Sequence, residues 1–303
     1  MDIKKLIKIT SNYISDPRYR FRVNAYLGLY NNMPDKEYIE RMYDAKMRDE
    51  LDLNNPKLYN EKLQWLKLYD RKTIYSTMVD KIEAKKYAAS IIGDEYIIPT
   101  INTWDDPDEI DFETLPEQFV LKCNHNSGVG MYICHNKAQI NERKIKSELK
   151  KGLRRNYYKM WREWPYRDVK PRILAEKYME DEKDPSALTD IKFFCFEGEP
   201  RIMYLSKDEA EDPRTDFFDM EYNHLPIRMR DPNSEIIPEK PQNFELMKDL
   251  AKKLSKGMHH VRVDFYEINN RVYFGEFTFY HCGGFEKVSP PEWNQKMGDW
   301  INI

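Results

Sequence analysis

The sequence predicts an α+β protein of two lobes behind a helical N-terminal region. Three observations carry this. The first seventy residues look helical and are rich in Tyr, Arg and Lys. Short apolar runs, Phe119–Cys123 with Met131–Cys134 and Asp190–Phe196 with Arg201–Leu205, flank turn-forming residues as hairpins do. The stretch from His259 to Thr278 reads as one further hairpin. A chain of 303 residues is long enough for about two domains and a large core.

In order, Tyr38, Met42 and Met47 have helical spacing within Asp35 to Leu51, and a cap-like Asn60 opens a helix to Tyr69. Thr77 to Ile91 continues as helix and contains Asp80-Lys81. Ile97 to Thr100 is a short strand followed by the acidic loop Asp105 to Glu109. The strands Phe119–Cys123 and Met131–Cys134 are joined by Asn124-His-Asn-Ser-Gly-Val-Gly130. Lys137 to Tyr158 is helical and basic, and Ile173 to Met179 is a strand. The acidic linker Glu180 to Pro185 is the expected hinge, dividing the chain into residues 1–70, 71–179 and 180–303. Beyond it come the hairpin around Glu197 to Pro200, a strand at Asp216 to Asp219, a helix from Asn243 to Lys256, and a C-terminal Pro290-Pro-Glu-Trp293 segment that wraps the surface.

Composition narrows the function. Aromatics at 14% and charged residues at 33% belong to a folded, well-solvated protein. The net charge is only -3 and no basic face advertises nucleic acid. No apolar run approaches the roughly 18 residues that span a bilayer, and Met1-Asp-Ile-Lys-Lys-Leu-Ile7 lacks a signal-peptide core. The expected location is the cytoplasm. Cys123, Cys134, Cys195 and Cys282 are isolated from one another and read as reduced core thiols. His259 and His260 point to opposite strand faces, which argues against zinc.

The last hairpin carries the chemistry. A two-residue turn at Asn269-Asn270 would put Asp264 and Glu276 on opposite faces, whereas a three-residue loop, Asn269 to Arg271, pairs Ile268 with Val272. Asp264 then faces Glu276 and Arg262 lies beside Thr278. We expect the three-residue loop, with Val261, Val263, Phe265, Tyr273, Phe277 and Phe279 forming the core face. Carboxylates directly opposite repel unless a cation separates them. Magnesium accepts one or two protein carboxylates and takes its other ligands from water and phosphates. The alternative is a polar strand face on which Arg262 neutralises either acid.

The Asn124 to Gly130 loop joins two strands and has no Lys-Ser/Thr ending, so it is not a P-loop. It is either an ordinary hairpin turn or a flexible cover whose backbone N–H groups meet phosphate, with Lys122 supplying a point charge.

The ordered set Asp80-Lys81, Phe119-Val-Leu-Lys122 with its glycine loop, Ala175-Glu-Lys-Tyr-Met179, Lys192, Arg262-Val-Asp264 and Glu276-Phe-Thr278 resembles the ATP-grasp superfamily. More narrowly, Asn60 to Trp65, Cys195 to Gly198 and Phe274 to Phe279 are similar to segments of the TupA-like ATP-grasp proteins of surface polysaccharide and teichuronopeptide biosynthesis. The likeness runs from about Leu58 to Phe285. It implies an ATP-grasp fold, two α+β lobes with antiparallel sheets gripping ATP. It also implies ATP contacts by Lys81 and Lys122, a phosphate cover containing Asn124, Ser127, Gly128 and Gly130, and an adenine-holding strand with Glu176, Lys177, Tyr178 and Met179. Asp264 and Glu276 would ligate Mg2+. Thr278 stands where family members often carry Asn, which puts a hydroxyl in place of a better oxygen ligand. Lys81 and the Glu176-Lys177 pair have solvated-surface readings as well.

No Ser-His-Asp set or activated cysteine is visible. The resemblance implies attack by a substrate carboxylate on the γ-phosphate, then displacement of phosphate by an amine. Lys122 and Lys192 would offset charge and Arg262 would orient the carboxylate; His281 is either a substrate contact or a satisfied loop histidine. The expected partners are glycan or small-molecule carboxylates, amines and other polysaccharide-biosynthesis enzymes. A glycosyltransferase and a noncatalytic ATP-binding partner are the alternatives.

Overall fold

The computed structural model describes residues 10–183, 185, 188–207 and 213–303. The opening Met1 to Ile7 and, within the expected hinge, Asp184 lie outside them. Among the described residues the strands form two antiparallel sheets. The first has the order β1 (Thr100–Trp104), β4 (Ile173–Lys177), β2 (Phe119–Cys123), β3 (Met131–Cys134). The second runs β10 (Arg271–Thr278), β9 (His260–Ile268), β5 (Thr189–Phe196), β6 (Glu199–Lys207), β7 (Arg214–Asp219), β8 (His224–Leu225).

Strand alternation decides which side chains meet the cleft between these sheets. In β2, Phe119, Leu121 and Cys123 are buried against Ile145 and Leu149 of the helix Glu142–Leu153. Val120 and Lys122 therefore face the other way. In β5, Phe193 and Cys195 join β9 residues Val261, Val263 and Phe265 in a core under the helix Phe244–Leu254. Lys192 and Phe194 point to the opposite face, where Lys192 pairs with Asp264 of β9.

The last hairpin differs from expectation in its turn and agrees in its functional half. Ile268 pairs with Arg271 across a two-residue Asn269-Asn270 turn. Both asparagines have positive φ, 51° and 62°, as a primed hairpin turn requires. The register then shifts between Phe274 and Phe277, so Gly275 and Glu276 together oppose Asp264, and beyond the bulge Phe277 pairs with Val263 and Thr278 with Arg262. One inserted residue restores the register that a longer loop would have set. It also exchanges core residues, because Phe274 is 1% exposed while Tyr273 is only partly buried. Gly275 suits the bulge, since a Cβ there would lie 3.1 Å from the Asp264 carbonyl.

Helices pack around the sheets. The expected single helix over Thr77 to Ile91 is broken into Ile74–Val79 and Glu83–Ile92. Asp80 Oδ1 accepts from the N–H of Ile82 at 2.9 Å, which stops the first helix and leaves Lys81 in the gap. Residues of Tyr59–Tyr69 and of both these helices share the six-stranded sheet's core. The helix expected to Leu51 ends at Met47, and the basic segment 137–158 divides into Glu142–Leu153 and Tyr157–Trp161. The strands expected at Ile97 and through Met179 instead begin at Thr100 and end at Lys177. Pro290 to Trp293 stays at the surface, exposed or partly buried, and opens the helix Pro291–Asp299, whose Met297 reaches the core. Phe21, Tyr38, Met42 and Tyr43 form a third cluster with Phe285, which docks the N-terminal helices on the loop after β10.

Candidate functional site

Two strand faces meet at a crevice of 310 Å³ between the sheets. Val120, Lys122 and Ile133 line it from the small sheet, with Glu176, Tyr178 and Met179 at the end of β4; Asp190 and Tyr266 close it from the large sheet. Mixed aliphatic, aromatic and charged lining of this kind suits a flat heterocycle with a polar edge. A larger cavity, 860 Å³, opens beside Ile191, Leu205 and Asp216 on the opposite face of the large sheet and contains none of the expected site residues.

At the floor of the crevice Glu176 is 5% exposed. Lys122 Nζ lies 2.6 Å from its Oε2, and Lys85 Nζ contacts Oε1. Burial pushes the Glu176 carboxyl up, but Lys122 and Lys85 outweigh it and hold the group at about 2. Lys85 also donates to the Ile98 carbonyl at 2.7 Å and Thr100 Oγ1 at 3.2 Å. Sequence reasoning missed Lys85, because a lysine in a helix reads as solvated.

The glycine loop is rigid at its root and open at its tip. Asn124 is fully buried; its amide donates to the Lys170 carbonyl at 3.0 Å and accepts from the Arg172 N–H at 2.7 Å. Asn124, expected within the phosphate cover, thus anchors the root of the loop through its side chain. Asn126 donates to the Gly152 carbonyl and Lys81 Nζ to the Asn126 carbonyl, at 3.0 and 2.9 Å. Gly130, at φ 70°, packs so closely that a Cβ would meet Cys123 Sγ at 2.5 Å and Gly152 Cα at 3.0 Å. Ser127 and Gly128 are exposed, and Gly128 has open space around it. Lys177 is also exposed.

The acids lie on the other sheet. Arg262 grips Asp264 with two bonds, Nε to Oδ1 at 2.7 Å and Nη2 to Oδ2 at 2.6 Å, and Nη2 reaches Thr278 Oγ1 at 3.0 Å. The cation separating the two carboxylates is therefore Arg262, whose Nη2 is also 3.5 Å from Glu276 Oε1. Lys192 Nζ lies 3.7 Å from Asp264 and 3.4 Å from Asp190. Burial lowers the Lys192 ammonium, and Asp264 leads the charges that carry it above its ordinary value. His281 Nδ1 is 2.7 Å from Arg262 Nη1, so His281 orients the guanidinium. Asn60 and Gln64, the resemblance-bearing pair, donate to the carbonyls of Gly284 and Glu286 and hold the loop behind His281.

Glu276 is the open carboxylate. Its neighbours are Thr278 at 3.3 Å, Arg262 at 3.5 Å and Lys81 at 3.6 Å, all longer than the roughly 2.8 Å of a strong charge-assisted bond. Its side chain is 39% exposed. Burial raises its carboxyl; Lys81, Arg262, Lys192 and Lys122 together bring it to about 2. Among the described residues no three His, Cys, Asp or Glu side chains cluster as a metal site. One open and one Arg-bound carboxylate thus fit a magnesium ion that arrives with phosphate oxygens, not one caged by protein alone. The Thr278 hydroxyl is engaged by Arg262 and Glu276.

Two antiparallel lobes, a lysine-bearing strand under a glycine loop and an acidic hairpin across the crevice define an ATP-grasp architecture. The family model described as TupA-like ATPgrasp matches residues 61–302, and the chain belongs to this family. Among curated proteins nothing matches. Solved structures that it resembles include D-alanine–D-alanine ligase from Bacillus anthracis complexed with ATP, at 15% identity and TM-score 0.38, covering 67% of this chain and 54% of that one. D-alanine–D-alanine ligase from Helicobacter pylori gives 13% and 0.45, with 80% and 69% covered. N5-carboxyaminoimidazole synthetase from Staphylococcus aureus gives 14% and 0.39, with 75% and 53% covered. The chain thus spans little more than half the length of several of these proteins. Among the described residues no helix is long and apolar enough to cross a membrane.

Proposed function

We propose that the chain is an ATP- and magnesium-dependent carboxylate–amine ligase that works through an acyl phosphate. Its substrates on this reading are a uronic-acid-type sugar carboxylate and an amino acid or other amine, joined during surface polysaccharide biosynthesis in the cytoplasm beside the other enzymes of that pathway. The observation that carries it is Lys81, whose Nζ donates to the glycine loop and lies 3.6 Å from Glu276 of the acidic hairpin. That lysine ties the phosphate-covering loop to the open carboxylate.

A magnesium ion, when bound, would supply positive charge against the negative charge developing on the phosphates. Glu276 and Asp264 would hold it. Glu176, Tyr178 and Met179 would receive the base in the crevice, with Lys122 and Lys81 on the phosphates and the Ser127-Gly128 tip over them. Arg262, fixed by Asp264 and His281, would present its guanidinium to the substrate carboxylate, while Lys192 offsets charge on the transferring group. The carboxylate oxygen bonds to the γ-phosphorus as the β–γ bridge breaks and ADP leaves. An amine nitrogen then bonds to the acyl carbon and phosphate departs with the C–O electrons. Positioning and charge neutralisation account for such catalysis without a protein nucleophile.

The test is a screen of carboxylate and amine pairs for ADP release, with mass analysis of the product. Glu276→Gln should keep the wild-type unfolding temperature and lose MgATP turnover by at least a hundredfold. Full turnover in that variant, or sugar transfer from a sugar nucleotide without ATP consumption, would overturn the proposal.

A further inference from the structure

The net charge of -3 conceals a local excess of the opposite sign. Residues 143–159 hold eight Lys or Arg and one Glu. Ile145 and Leu149 turn one face of the helix Glu142–Leu153 onto the small sheet. Helical spacing then leaves Lys144, Lys151 and Arg154 looking outward, and all three are exposed, as is Arg143. Lys150 meets Asp108 at 2.6 Å and Lys151 meets Glu148 at 2.7 Å. Among the described residues Arg143, Lys144, Arg154 and Lys159 make no ion pair.

Exposed apolar side chains gather in a neighbouring segment. The most exposed large hydrophobic residues among those described are Ile236 at 85%, Tyr26 at 78%, Ile14 at 71%, and Leu27 and Leu29 at 66% each. Four of these five fall within residues 14–29, and such a concentration marks a contact surface. Gly28, at φ 80°, follows the helix Pro17–Tyr26 and leaves Leu27 and Leu29 on either side of a turn. That turn is fixed to the end of the basic segment. Arg162 Nη2 donates to the carbonyls of Tyr30, Asn31 and Met33 at 2.8, 3.3 and 3.2 Å, and the Tyr38 hydroxyl donates to the Met160 carbonyl at 2.9 Å. None of these residues lines the nucleotide crevice.

We infer that the turn at residues 26–29 and the outer face of Glu142–Leu153 dock the protein on an anionic lipid bilayer. This goes beyond the ligase reading and does not depend on it. The two halves of the surface select the partner together. Lysines and arginines are drawn to an anionic leaflet within about a Debye length of it. Such attraction alone is reversible, and apolar side chains entering the headgroup region supply the second signal that a stable contact needs. A nucleic acid or an acidic glycan would satisfy the cations and leave Tyr26, Leu27 and Leu29 in water. A second copy related by a two-fold axis would cover the apolar turn but bring two basic faces together, which repel. The contact is peripheral, with the protein lying on the membrane.

The test is co-sedimentation of the full chain with vesicles of phosphatidylglycerol and phosphatidylcholine in equal parts, and with vesicles of phosphatidylcholine alone. Binding should be tighter to the anionic vesicles by about tenfold or more and should weaken as salt is raised. Leu27→Ser with Leu29→Ser is one variant; Arg143→Gln with Lys144→Gln and Arg154→Gln, which breaks no ion pair, is the other. Each should weaken binding by about tenfold or more at an unchanged unfolding temperature. They alter different segments, so if one fails to fold the other still decides. No binding to anionic vesicles, equal binding to both kinds, or wild-type binding by either folded variant overturns the assignment. In the first case, a dimer dissociated by the leucine variant would give the turn to a second copy, and heparin binding lost in the charge variant would give the basic face to a soluble polyanion.

Discussion

Arg262 and Asp264, two residues apart on one strand, form a bidentate ion pair at 2.7 and 2.6 Å while only 6% and 2% exposed. Strand periodicity puts i and i+2 on one face, and the pair occupies the point where two carboxylates would otherwise repel. A buried pair of this kind is costly to break from one side, because the remaining charge keeps no adequate partner. Lys192, at 3.7 Å from Asp264, is too distant to replace two short bonds.

Arg262→Met should therefore lower unfolding free energy by about 3–5 kcal/mol, measured by urea denaturation. Adding Asp264→Asn should recover part of that loss, since it removes the stranded charge. A single variant within 1 kcal/mol of wild type would mean that Lys192 and Thr278 suffice for Asp264.

The two lysines on Glu176 divide structure from ligand binding. Lys85 is 8% exposed and bonds backbone and side-chain oxygens around Ile98 and Thr100. Lys122 has a side chain 27% exposed and lines the crevice. Lys85→Met should destabilise by about 3 kcal/mol or more, the usual cost of halving a buried ion pair. Lys122→Ala should cost roughly 1 kcal/mol, because Lys85 still faces Glu176, but should weaken ATP at least tenfold. Unchanged ATP affinity in Lys122→Ala would reduce that lysine to a counter-ion.

How far the amino-acid order revealed this site depends on which interactions were local. Periodicity placed Arg262 and Asp264 on one strand face, because alternation is a property of neighbouring residues, whereas Lys122 was read from its place before the glycine loop and Lys192 from the ordered resemblance. The hairpin's turn was misread and its functional half was not, since the Gly275 bulge cancels the difference in loop length; an isolated glycine inside a strand was the available sign. The break that frees Lys81 was invisible because the residues from Thr77 to Ile91 all tolerate helix, and only the Asp80 cap interrupts them. Lys85 was missed for a different reason. Its burial is decided by segments far away in sequence, Glu176 among them, which no local pattern records.

Two glycines of one loop should respond differently. Gly130→Ala meets Cys123 Sγ and Gly152 Cα and also carries φ 70°, so strain and overpacking add to about 2–4 kcal/mol. Gly128→Ala, with φ 74° and open space, pays backbone strain alone, about 1 kcal/mol. Thermal unfolding of both variants checks the order. Equal shifts would show that the loop root yields as freely as its tip.

His260 makes stability depend on pH. Its Nε2 is 3.0 Å from the Tyr59 hydroxyl and its Nδ1 2.9 Å from the Cys195 carbonyl, and both sides are buried. Burial lowers the imidazole most, the Cys195 carbonyl opposes it, and Arg262 lowers it further, to about 3 from an ordinary 6.5. The folded chain therefore binds this proton later than the unfolded chain does. Its neutral form stabilises fully above pH 6.5, and that contribution falls away as the pH drops toward 3, by roughly 5 kcal/mol in all. Urea midpoints of wild type between pH 7 and 4 should fall steeply, and His260→Gln, less stable at pH 7, should show a shallower slope. Parallel profiles for the two proteins would assign the acid sensitivity to other groups.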